Sequence, residues 1–143
     1  MNAPSAAVAG AAAFTWLGMV LGISFLEAPL KFRAPGVTVP LGLGIGRLVF
    51  RALNIVESVL AVVVVAAVAT GSPSVFVAVC TACAVTLLAV QLAVVRPVLN
   101  RRTDRVLTGE DLPRSRAHVM YIGLEVLKTV GLIALGTAAL AAA

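Results

Sequence analysis

Charge is scarce in this chain: of 143 residues only 12% are Asp, Glu, Lys or Arg, and just 6 of those are acidic. A soluble domain carries roughly 25% charged and 45–50% apolar residues. Here 61% of the residues are hydrophobic and the mean hydropathy is +1.08, which excludes an ordinary soluble fold. Histidine occurs once, as His118, so no second imidazole exists to complete a metal site. Cysteine occurs twice, and both Cys80 and Cys83 lie inside an apolar run, which leaves no framework of loop disulfides. Basic residues are missing from the first thirty positions. A secretory leader opens with a basic segment, so the N-terminal apolar stretch is expected to remain as an uncleaved first span.

What is abundant is uninterrupted apolar sequence. Four stretches, about 6–28, 45–70, 74–95 and 117–140, are each long enough to cross a hydrocarbon core of about 30 Å as a helix rising 1.5 Å per residue. A transmembrane barrel requires alternating polarity, and the run AVVVVAAVA from Ala61 to Ala69 has none. The expected fold is therefore all-α: a single transmembrane domain over 1–143, built as a four-helix bundle. Gly71, Ser72 and Pro73 make a tight uncharged link that forces the second and third spans antiparallel. The other two connections, Pro29 to Gly44 and Arg96 to Arg116, are long and carry the charge.

The net charge of +5 is a topology signal rather than a nucleic-acid signal, because the basic residues cluster between apolar runs. Lys31, Arg33, Arg47 and Arg51 mark the first connection and its exit. Arg96, Arg101, Arg102, Arg105, Arg114 and Arg116 mark the third, and only Lys128 sits elsewhere. The positive-inside rule then places both connections in the cytoplasm and both termini outside, in a bacterial inner or plasma membrane.

Ionisable residues within spans are costly and are functional candidates by default. Glu125 and Lys128 would together cost roughly 5–7 kcal/mol on insertion, more than the apolar residues of the fourth span comfortably return. That helix must bury its polar side. At 100° per residue His118, Tyr121, Glu125 and Lys128 fall within an arc of about 80°, and Arg47, Arg51, Asn54, Glu57 and Ser58 of the second span within about 120°. Both stripes start at the charged end, so Glu57 and Lys128 are expected at similar depth, about 17–18 Å from the starts of their helices, as a buried pair. Arg51 is then available to neutralise Glu125. Asn54, Glu57, Tyr121, Glu125 and Lys128 thus form a candidate intramembrane polar relay.

The run LGLGIGR places Gly42, Gly44 and Gly46 where the second helix is expected to begin. Free backbone N–H groups there, backed by Lys31, Arg33, Arg47, Arg51 and His118, would make an anion or lipid-headgroup site. Cys80 and Cys83 share a face with Gln91, but nothing electropositive surrounds them, and they read as small buried residues. Gly18 and Gly22, and Gly123 and Gly131, are spaced for close helix packing inside the bundle. Trp16 falls inside the first span rather than at an interface.

The stretch from Trp16 to Glu57, WLGMVLGISFLEAPLKFRAPGVTVPLGLGIGRLVFRALNIVE, resembles small bacterial four-span integral membrane proteins of uncharacterised function. Its pattern of Ala28, Pro29 and Phe32 closing one span and Gly46 and Phe50 opening the next looks, more distantly, like the domain-of-unknown-function family that includes a vertebrate four-span protein linked to platinum-drug resistance. The resemblance implies a four-span fold and no biochemistry. The residues themselves suggest a polar pocket between spans two and four that binds or moves an anionic or amphipathic small molecule or lipid. The alternative is a structural or accessory subunit of a membrane complex. Membrane lipids are the expected partners, then a membrane-protein partner or a homo-oligomer. No nucleic acid, cofactor, metal or catalytic residue is expected, His118 with Glu125 being the nearest approach to a nucleophile–base pair.

Overall fold

The structure, a computed structural model, describes residues 1–113 and 115–143. Arg114, counted above among the basic residues of the third connection, lies outside the described residues. Four long helical segments, Ala3–Arg33, Val39–Thr70, Val75–Leu107 and Arg116–Ala141, are each long and apolar enough to cross a membrane, and no strand occurs among the described residues. The chain is an all-α four-helix bundle with the makeup of a multi-pass membrane protein.

Local chemistry sets the starts of these helices. The side chains of Asn2, Thr38, Ser74 and Ser115 each accept a hydrogen bond from an amide of the first turn, and Pro4 and Pro40 occupy first-turn positions where a missing N–H costs nothing. The second helix consequently begins at Val39, six residues before the expected 45. The third continues past Val95 to Leu107, so much of the expected third connection is helical.

Two of the helices change pitch near the charged end. The first widens to π geometry over Leu21–Glu27, and the third over Gln91–Val95. Each widening stands directly before a proline, Pro29 and Pro97. A proline has no N–H to donate and its ring clashes with the carbonyl four residues back. A wide turn relieves both conflicts by shifting to i→i+5 bonds, as from the Ala28 amide to the Ile23 carbonyl and from the Arg96 amide to the Gln91 carbonyl.

The first helix packs against the second and fourth, and the third against the fourth and second, so the second and fourth stand diagonally opposite. Small side chains let the helices approach closely at the end bearing the termini, where Ala9, Ala12, Ala13, Val64, Ala67, Val68, Val77, Leu135 and Ala139 form one core layer. Trp16, Leu17, Val20, Ala61, Ala84, Leu88 and Leu132 form the next. Large apolar residues such as Leu48, Val62 and Val119 are more than two-thirds exposed on the outer face, the inversion expected when lipid is the solvent.

The glycines work at positions other than those expected. A Cβ at Gly18, Gly22, Gly123 or Gly131 would meet nothing, so these four do not mediate packing within the chain. A Cβ at Gly10 would strike Leu140 and one at Gly136 would strike Phe14, which puts the tight first-to-fourth contact nearer the termini.

Candidate functional site

Beyond the Trp16 layer the core turns polar. Glu57, Gln91, Glu125 and Lys128, from the second, third and fourth helices, are each at most 1% exposed. The Lys128 ammonium donates to Glu57 Oε1 and to Gln91 Oε1, the latter at 2.7 Å, and lies 2.6 Å from Glu125 Oε1. Gln91 Nε2 donates to the same Glu125 oxygen at 2.7 Å. The first helix completes the set: the indole N–H of the fully buried Trp16 donates to Glu57 Oε1 at 2.8 Å. Every helix therefore contributes a side chain to one cluster. Two carboxylates share one ammonium, and the second oxygen of each carboxylate, Glu57 Oε2 and Glu125 Oε2, has no hydrogen-bond partner.

The expected partners are thus only partly those brought together. Glu57 and Lys128 meet across the bundle diagonal even though the second helix starts earlier than expected. Arg51 does not neutralise Glu125; it is exposed on the outer face, and Lys128 and Gln91 occupy the Glu125 carboxylate instead. The broad polar stripe of the second helix divides. Glu57 points inward, while Arg51, Asn54 and Ser58 line an outer groove between the second and third helices.

Above the cluster lies a cavity of about 420 Å³. Its polar lining includes Ser24, Lys31, Arg47, Arg96, Arg102, His118, Tyr121 and Glu125, and its apolar walls include Phe25, Phe32, Leu43, Phe50, Leu99 and Ile122. Glu125 belongs both to this wall and to the buried cluster. Of the five residues expected to bind an anion, Lys31, Arg47 and His118 line the cavity; Arg51 lies in the outer groove, and Arg33 is exposed at the end of the first helix, outside both. Tyr121 lines the cavity, with its hydroxyl buried beside Arg96, and Asn54 lines the groove.

The glycine run does not supply free amides. Because the helix starts at Val39, the Gly42 amide already donates to the Thr38 carbonyl at 2.9 Å, and Gly44 and Gly46 lie in the helix interior. The glycines make room instead. A Cβ at Gly42 would fall within the Phe32 ring, and one at Gly46 would lie 2.9 Å from Lys31 Nζ. Their absence of side chains lets the end of the first helix lie against the second and carries Lys31 into the cavity wall, 3.4 Å from Glu27 and 5.7 Å from the ring centres of Phe32 and Phe50.

Arg96 was legible only as a topology marker, yet it is the most distinctive cation here. Its guanidinium carbon is 4.1 Å from the Phe50 ring centre and 4.4 Å from that of Tyr121, and these rings meet edge to face at 5.6 Å. The guanidinium is held in the angle between them, an arrangement that favours a cation. Its Nε and Nη2 are buried and make no hydrogen bond. Arg96 lies five positions beyond Gln91. In α geometry that spacing turns a side chain about 140° away, but the π turn between them stacks one above the other. A reading at 3.6 residues per turn could not place them together.

Cys80 and Cys83 are free, half-buried and exposed respectively, and no group of three or more potential metal ligands exists among the described residues. Comparison with family models, with curated proteins and with solved structures finds no match to the chain. What the geometry itself defines is a four-helix bundle of membrane-span type with an apolar-walled, cation-rimmed cavity over a buried ion cluster.

Proposed function

We propose that this protein binds an amphipathic anion, with the anionic group in the cavity beneath Lys31, Arg47 and His118 and against Arg96. The observation that carries this reading is Arg96: two buried nitrogens, Nε and Nη2, with no hydrogen-bond partner among the described residues, on a guanidinium fixed between two aromatic rings and facing a cavity with apolar walls. An unmet buried donor is costly, and a phosphate or carboxylate oxygen is the acceptor that guanidinium geometry suits best. The Phe25, Phe32 and Leu43 side chains suit an acyl or other apolar body. Charge distribution supports an orientation with the cavity at the cytoplasmic face and both termini outside, in a bacterial plasma membrane. An accessory subunit with a dry core would not need an open cavity of this size.

The test is native mass spectrometry of the protein with phosphatidylglycerol and phosphatidylcholine. Preferential retention of the anionic lipid is expected, and Arg96→Gln should abolish the preference. Arg101→Gln, outside the cavity, should leave it intact. Equal loss in both variants would reduce the arginines to general surface attraction, which amounts to about 1 kcal/mol per basic residue near an anionic leaflet.

A further inference from the structure

The cavity and the outer groove between the second and third helices are neighbours. They share Arg47, Arg96 and Asn100 in their linings, so these residues stand between the interior of the bundle and its outer face. Arg47 is the strut. From the second helix its Nη2 reaches the third, donating to the Asn100 carbonyl at 3.0 Å and to Asp104 Oδ1 at 2.7 Å. Asp104 is well exposed in this pair, and exposed ion pairs are weak and readily exchanged.

The groove outside this strut has an unusual mixture of residues. Ile55 and Val59 are more than half exposed, as expected of a face toward lipid. Between them and the strut, Arg51, Asn54 and Ser58 line the same groove. Among the described residues the Arg51 and Asn54 side chains have no hydrogen-bond or ion-pair partner; the final 20 residues of this helix, 51–70, suffice to span the hydrocarbon core, which puts Arg51 at its edge and Asn54 about 5 Å inside it. Polar and cationic groups on an outer face at this edge lie at headgroup level, where an anionic headgroup can meet them.

We propose that the strut is a lateral gate and that the ligand is an anionic membrane lipid entering sideways between the second and third helices. This rests on the anion-binding reading above and specifies its source. The headgroup exchanges contacts stepwise, from Arg51 and Asn54 in the groove, to Arg47 in place of Asp104, to Arg96 inside. Ile55 and Val59 accompany the acyl chains, which never leave an apolar surface. A water-soluble anion has no use for this route, since it reaches the same cations from the open end.

The experiment compares two probes on the full chain in nanodiscs: deuterated phosphatidylglycerol, followed by native mass spectrometry over time, and glycerol phosphate, followed by equilibrium binding. Ser58→Trp fills the groove without touching the cavity lining and should slow lipid exchange at least tenfold while leaving glycerol phosphate binding unchanged. Asp104→Asn releases the strut and should accelerate lipid exchange by up to about fivefold, the factor set by the loss of an exposed ion pair. Unchanged exchange rates in both variants would overturn the gate while leaving anion binding standing, as would parallel loss of both probes in Ser58→Trp. Failure of either probe to bind the parent protein would overturn the anion-binding reading and the gate with it.

Discussion

Two groups of charges lie one above the other in this bundle and are treated in opposite ways. In the lower group, Lys128 is surrounded: two carboxylates and an amide meet it, and Trp16 and Gln91 hold the carboxylates in turn. In the upper group, Arg96 is half-buried against two rings with donors left over, and Lys31 pairs at 3.4 Å with a partly exposed glutamate beside the Phe32 and Phe50 rings. The saturated ammonium fixes the relative rotation of four helices, although Glu57 Oε2 and Glu125 Oε2 keep one unmet acceptor each. Unsaturated contact leaves capacity for something that is not part of the chain. Glu125 belongs to both groups, so an occupant of the cavity would feel the cluster directly.

The comparison is easiest to break at Lys128. Lys128→Met would leave two carboxylates buried beside each other, and a loss of about 3–5 kcal/mol of stability is expected in thermal unfolding in detergent or lipid. Glu57→Gln should be far milder, about 1 kcal/mol or less, because Lys128 keeps Glu125 and the amide oxygen still accepts from Trp16. Equal losses in the two variants would mean that the ammonium is not the hub of the cluster. In the upper group the largest effect should fall on affinity rather than stability. Arg96→Gln should weaken anion retention by about tenfold to a hundredfold, corresponding to the loss of charge-assisted hydrogen bonds worth about 1.5–3 kcal/mol, with little change in melting temperature. A variant that melts early without losing its ligand would place Arg96 with the structural charges instead.

Gly42→Ala sharpens the point that the upper group depends on close packing. The added methyl must displace Phe32, and a cost of about 1–3 kcal/mol together with weaker anion binding is expected, since Lys31 moves with its neighbour. The smallest effect is expected at Arg105, whose partner Glu110 lies 2.7 Å away and in which both side chains are about half exposed. Arg105→Gln should change stability by no more than about 1 kcal/mol and leave lipid retention as it was.

Much of this architecture was readable in the amino-acid order, for reasons that are physical. Hydropathy over 20 residues reports a membrane-scale property, so the four helices and their antiparallel order follow from the apolar runs and the tight Gly71 to Pro73 link. The inward direction of Glu57, Glu125 and Lys128 follows from cost, because lipid offers such groups no partner. Local detail was less accessible. The start of the second helix depended on the Thr38 side chain and Pro40, a stronger local signal than the glycines that follow, and so the glycine run became a packing surface rather than a cap. Gln91 was placed only on a face with Cys80 and Cys83, and Trp16 only inside the first span, because neither carries a charge that demands a partner, although both can hydrogen-bond and both are buried. Arg51 was misplaced because an arc of 120° is wide enough to contain both an inner and an outer side.

The wide turn at Gln91–Val95 also bears on how such a chain can vary. It holds one more residue than an α-helical turn spanning the same height. Removing that residue would restore ordinary pitch and leave Arg96 four positions from Gln91, about 40° off at 100° per residue, so both would keep their faces; an α turn at unchanged length would instead swing everything beyond it by about 100° and carry Arg96 off the cavity. The turn therefore absorbs a change of one residue in length while holding the two halves of the helix in one relative orientation. Among related chains, a single-residue deletion at this point would keep both the cluster and the cavity, whereas the same deletion within an α-helical stretch of this helix would turn one part against the other by about 100°.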